Sequence, residues 1–133
     1  MKYTLEDLVR DYYKNKTHRD VFEGHIKIVK SEGKEPIEYI EDLEKEKDLY
    51  AKKVKIVEDY FTENTDHISG TGGTAPIRQY ITDKEYEVCD YRYIKNITDR
   101  LDIAEIINIS KHTVSSHIFY CNQKLRKIEI EIN

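Results

Sequence analysis

The stretch ISKHTVSSHIFYCNQKL, residues 109–125, gathers the side chains of this sequence best suited to touch a polyanion. It holds no acidic residue, although the chain as a whole has 26 Asp/Glu against 22 Lys/Arg. From 106 to 128 the charged residues are Lys111, Lys124, Arg126 and Lys127, all basic. Read as a helix, the stretch has two sides. Val114, Ile118, Cys121 and Leu125 recur at steps of three and four and make an apolar face. Lys111, His112, Ser115, Ser116, Phe119 and Asn122 are left on the other faces. Acids there would repel phosphates. Small polar residues near the helix start let its backbone approach base edges in a DNA major groove.

The elements that must position these residues are legible just upstream. In LDIAEIINIS, Asp102 can cap a helix that turns Ile103, Ala104, Ile106 and Ile107 inward. Asn108 can take the left-handed conformation that a tight turn needs. Ile109 plugs the corner, and Ser110 can cap the next helix by accepting from its free N–H groups. The small Ala104 suits a close crossing of the two helices. This pattern predicts a helix-turn-helix. Before it, Thr82 and Glu85 have capping-box spacing, and Tyr86, Cys89, Tyr93 and Ile97 repeat as one buried stripe.

ITDKEYEV, IAEIINISKHTVSSH and the later KL resemble the LuxR/GerE-type helix-turn-helix over 81–125, about a third of the chain. Ala104, Ser110, Thr113, Val114, His117, Lys124 and Leu125 fall at the spacing of that family. Two features depart from it. The segment before the first helix of the motif is longer by two residues, and IKNITDRLD stands where a glycine is usual. Both bring the module toward region 4 of sigma factors. The whole layout resembles the RinA/ArpU-type late-gene regulators of phages. The resemblance implies that Ser110 and Thr113 hold phosphates and that Lys111, His112, Ser115 and Ser116 read bases. It implies that Lys124 and Arg126 reach flanking phosphates. His117 is either a further contact or a half-buried residue that fixes the fold. Nothing in residues 1–66 matches a phospho-acceptor domain, so phosphorelay control is not implied.

The N-terminal half reads as helices with a different use. Thr4 and Asp7 suit a helix start, with Leu5, Leu8, Val9 and Tyr12 at helical spacing. Val21, Phe22, Ile26 and Val29 follow in the same way up to SEGKEP. After Pro36, the positions Ile40, Leu43, Lys47, Tyr50, Val54, Val57 and Phe61 alternate steps of three and four, as a coiled-coil seam does. That seam predicts a homodimer through Ile40, Leu43, Tyr50, Val54, Val57 and Phe61. The alternative is one long amphipathic helix packed on the first two helices of its own chain. The expected organisation is a helical dimerisation unit at 1–66, a glycine-rich joint at 67–75 and a DNA-binding unit at 76–133. Residues 63–76, ENTDHISGTGGTAP, lack the Gly-Lys-Ser/Thr of a phosphate loop. Pro76 can start a short helix.

Composition sets the remaining limits. The charge is uneven: residues 1–66 carry 13 Lys/Arg and 17 Asp/Glu, while residues 67–133 carry 9 of each. This argues against nonspecific coating of nucleic acid but not against site-specific contact. Cys89 and Cys121 suggest a reduced, cytoplasmic setting. No apolar run is long enough for a membrane span, and MKYTLEDLVRDYYKNK has no signal-peptide core. His117 and Cys121 are four apart but have no second ligand pair, so no metal and no cofactor are expected. Acid pairs such as Glu41/Asp42 and Glu58/Asp59 lie in charge-rich helix and suggest no enzyme. The tail KIEIEIN alternates and reads as an edge strand or a frayed helix end. The sequence therefore predicts an all-α, DNA-binding transcription regulator. It acts on double-stranded DNA as a homodimer and can contact RNA polymerase. A small-terminase-like packaging subunit and a protein-binding antagonist module are the alternatives.

Overall fold

The computed structural model describes residues 1–62 and 75–133. The protein is all-α, with one short ribbon of two strands. In chain order the elements are β1 (Lys2–Thr4), α1 (Leu5–Arg10), α2 (Tyr12–Glu32) and α3 (Ile37–Phe61), followed by a 3-10 turn (Pro76–Gln79) and α4 (Asp83–Cys89). A π-helical turn (Asp90–Ile94), α5 (Arg100–Ile107), α6 (Lys111–Leu125) and β2 (Glu129–Glu131) complete the chain.

Local chemistry sets most of the boundaries. Thr4 caps α1 by accepting from the Asp7 N–H. Gly33 ends α2 at φ 65, a conformation that glycine adopts without a Cβ clash. Pro36 lies just before α3, where its missing N–H costs nothing. Pro76 opens the 3-10 turn, as its position predicts. The alternating tail is not a frayed helix end: it forms the short strand β2. β2 pairs antiparallel with β1, Tyr3 opposite Ile130, so the two ends of the described chain meet.

The core decides how the halves relate. One cluster joins Leu5, Leu8 and Val9 of α1, Tyr12 of α2 and Val54, Val57 and Phe61 of α3 to Ala75, Ile77, Ile81, Cys89, Cys121 and Leu125. The apolar face of the six-residue α1 is too small to be buried by its own neighbours in sequence. It finds cover against α3 and α6 instead. The expected separation into a 1–66 unit and a 76–133 unit is therefore corrected, because one core runs through both. The predicted joint at 67–75 lies outside the described residues except for Ala75, which is fully buried. Tyrosine hydroxyls add further ties. Tyr13 donates to the Ile94 carbonyl at 2.7 Å and Tyr86 to the Phe61 carbonyl at 2.8 Å. Tyr12 donates to Glu58, and burial together with that carboxylate pushes its pKa up to about 12.

The same core corrects the predicted dimer seam. Val54, Val57 and Phe61 are buried inside their own chain. Tyr50 stacks on His18 and Phe22 of α2. Ile40 and Leu43 are half-buried on the α2–α3 hairpin. Seam spacing marks an apolar face but does not say which partner covers it; here α1, α2 and the C-terminal half do. One residue of the expected α2 face is misassigned as well. Val21 points outward and is 64% exposed, while Ile26 and Val29 are buried.

Candidate nucleic-acid interface

A second, smaller core belongs to the helix-turn-helix: Val88, Ile103, Ala104, Val114 and Ile118, with Tyr91, Ile97, Ile107 and Ile109 packed around it. Asp99, not Asp102, caps α5, accepting from the Leu101 N–H at 2.9 Å. The helix thus starts earlier than its apolar spacing suggested, and Ile106 points outward instead of inward. Asn108 sits at φ 57, ψ 50, the expected left-handed turn. Ser110 caps α6 as predicted, its Oγ accepting from the Thr113 N–H at 3.1 Å. All four residues expected on the inner face of α6 are buried: Val114, Ile118, Cys121 and Leu125.

The longer approach to the motif has a structural solution. The chain unwinds after Cys89 into the wider π-helical turn, and Asn96 takes φ 57. A left-handed asparagine supplies a reversal that glycine more often supplies. Arg92 donates to the Thr98 carbonyl at 2.6 Å and steadies the loop. Thr82 and Glu85 form the full capping box at the start of α4.

The candidate contact residues fall into three groups. Lys111 and His112 are exposed at the start of α6, and Ser116 is half-exposed one turn on. Ser115 leans toward α5, where its hydroxyl meets Arg100 at 3.3 Å. Ser110 and Thr113 share a hydroxyl contact of 2.7 Å at the helix N-terminus. His117 is half-buried beside the inner face, on the flank opposite that of Ser115 by helical spacing.

Lys124 and Arg126 have other work. Lys124 donates to Glu85 at 2.6 Å, and Glu85 is itself buried under the capping box. Arg126 grips the buried Glu6 of α1 with two bonds of 3.1 Å. Sequence reasoning assigned both cations to phosphates. In the fold each of them neutralises a carboxylate that would otherwise be buried unpaired, while the two side chains stay 40% and 63% exposed. Their effect is to fasten the end of α6 to α4 and α1. Spacing could not reveal these partners, which lie 39 and 120 residues away.

Three residues on the open side of α6 were not assigned as contacts. Phe119 and Tyr120 are exposed and lie edge to face, 5.4 Å apart, and Gln123 is exposed beyond them. Helical arithmetic could have found Phe119 and Gln123, since they extend the line of His112 and Ser116 by steps of three and four. Arg100 was also missed, because it lies outside the motif and reaches α6 only through the fold. Among the described residues no cluster of His, Cys, Asp or Glu could hold a metal, and no helix is long and apolar enough to cross a membrane.

The Glu85 contacts make a pH prediction. Burial pushes the carboxyl upward, but the bonds from Lys124 and Thr82 outweigh it and hold the group below the usual glutamate range. Its stabilisation is therefore complete above the unfolded glutamate value of about 4.3 and is lost as pH falls through the lower folded value. Glu85→Gln should cost about 1–2 kcal/mol at neutral pH, and the gap to wild type should close on acidification below about pH 4. Denaturant unfolding of both proteins across pH measures it. A gap that stays constant with pH would show that the charge of Glu85 contributes nothing.

Compared with family models, curated proteins and solved structures, the chain has no match.

Proposed function

We propose that this protein is a sequence-specific, double-stranded-DNA-binding transcription regulator that reads its site with α6. The supporting observation is the juxtaposition at α5–α6. A left-handed Asn108 and a Ser110 cap set the two helices of the motif, and one face of α6 is fully buried. The opposite face is open, free of acid and headed by Lys111 and His112. In this reading Lys111, His112 and Ser116 face base edges, and Ser115 acts together with Arg100. Ser110, Thr113 and the N-terminal N–H groups of α6 receive a phosphate. The layout is of the kind that phages carry for late-gene control.

Binding to randomised and genomic fragments tests the reading. A selected site should emerge, and Lys111→Ala with Ser116→Ala should weaken it by about 1–3 kcal/mol per lost base contact, with the fold intact. Each phosphate that a Lys or Arg neutralises should add about −0.9 to the slope of log K against log salt, so affinity should fall as salt rises. The absence of any selected site would overturn the proposal.

The exposed Phe119–Tyr120 pair favours a second reading, in which the module docks on protein such as RNA polymerase. Aromatic pairs of this kind are common binding anchors. Under that reading Phe119→Ala abolishes polymerase capture while DNA binding is salt-insensitive or absent.

A further inference from the structure

The outer face of α2 has a pattern that the monomer does not explain. Thr17, Val21, Gly24, Ile28 and Ser31 follow at steps of four and three, and all five are exposed. Val21 is 64% and Ile28 57% exposed, so two aliphatic side chains stand in water one heptad apart. Gly24 lies between them in mid-helix, where glycine is a poor helix former. A Cβ at Gly24 would meet nothing within 4 Å, and its φ is not positive. Neither backbone conformation nor packing within the chain calls for glycine there. A second helix backbone approaching closely would.

We propose that α2 pairs antiparallel with α2 of a second copy, across a two-fold axis at Gly24. Antiparallel register about residue 24 sets position i against a position near 48 − i. Gly24 then meets Gly24, Thr17 meets Ser31, and Val21 packs beside Ile28 of the other copy. The flanks decide the direction. One flank carries Asp20 and Lys27, exposed and seven residues apart, and antiparallel pairing brings Asp20 of each copy to Lys27 of the other. Among the described residues these two have only weak exposed partners, Arg19 and Glu23. The other flank carries His18 and His25, which face Tyr50 and Tyr39 of α3. A parallel pair would have to set Asp20 and Lys27 against that occupied flank. The antiparallel pair sets them against each other.

The interface lies on the far side of α2 from the buried residues of α3, so it stands independently of the DNA-binding reading. Sedimentation of the full chain over a wide concentration range should show a reversible monomer–dimer equilibrium. Ile28→Asp lies at an exposed site and should leave the helical circular dichroism unchanged. It should raise the dimer dissociation constant at least about tenfold by placing a charge in the seam. Asp20→Lys sets like charges opposite each other and should weaken the dimer by about threefold to tenfold. Adding Lys27→Asp to that variant should restore it, an outcome that general charge effects would not give. Thr17→Cys mixed with Ser31→Cys should cross-link between copies under mild oxidation, whereas Thr17→Cys alone should not. A chain that is monomeric at every concentration would overturn the proposal. So would a dimer indifferent to Ile28→Asp, or cross-links of Thr17→Cys to itself.

Discussion

Val57→Asp is expected to unfold the whole chain, the helix-turn-helix included. Val57 is completely buried, in the cluster that joins α1 and α3 to Ile77, Ile81, Cys89, Cys121 and Leu125. An aspartate there removes apolar contact and leaves a charge with no partner in a dry site. The cost of such a buried, unpaired charge is about 3–5 kcal/mol. A chain of this size has about 5–15 kcal/mol in all, so this cost together with the lost apolar contact removes a large share of its stability. The outcome differs from that of a seam between subunits, where the same change would separate two folded chains. Hydrogen exchange distinguishes the two. Amides of α5 and α6 should lose protection together with those of α3, in one cooperative transition. Continued protection of α6 in the variant would show that the C-terminal half stands alone.

The second large effect is expected at Ala104. Its side chain lies in the small core between α5 and α6, beside Val114 and Ile118, and is 4% exposed. Its carbonyl accepts the N–H of Asn108 and of Ile109, the latter at 3.1 Å, so the residue also anchors the turn. Ala104→Leu adds three carbons where no space is open. Overpacking of this kind costs about 1–3 kcal/mol and is relieved by backbone shifts. The shift must move α5 away from α6, because the turn fixes the other end. Arg100 would then lose Ser115, and the contact face would lose its shape. Affinity for the selected DNA site should therefore fall by more than the stability loss explains, at temperatures where the variant is still folded. Ala104→Gly adds no bulk and should leave site preference unchanged while lowering stability by about 1 kcal/mol. Titration of the selected site with the folded variants checks this. Tight binding by Ala104→Leu would show that the crossing is not close.

What the sequence could disclose was local. The turn at Asn108, the caps at Thr4, Thr82 and Ser110 and the buried face of α6 each depend on residues within a few positions of one another. Side-chain spacing therefore states them directly. The all-α class follows from the same periodicities. Even here the first helix of the motif was misplaced, since both Asp99 and Asp102 are suitable caps and only the approach from the π-helical turn selects Asp99.

Tertiary structure alone decided the partners. Spacing showed that Val54, Val57 and Phe61 form an apolar face, but an apolar face is non-directional and packs on whatever covers it. The short α1 was the decisive element: with β1 it brings the N-terminus onto α3 and α6. Its Glu6 takes Arg126, and the capping-box residue Glu85 takes Lys124. A lysine or arginine beside a recognition helix looks the same in sequence whether it faces phosphate or a buried carboxylate. The difference is electrostatic and arises only when the fold brings a distant acid to 2.6 or 3.1 Å, as here, because a buried carboxylate holds the nearest cation.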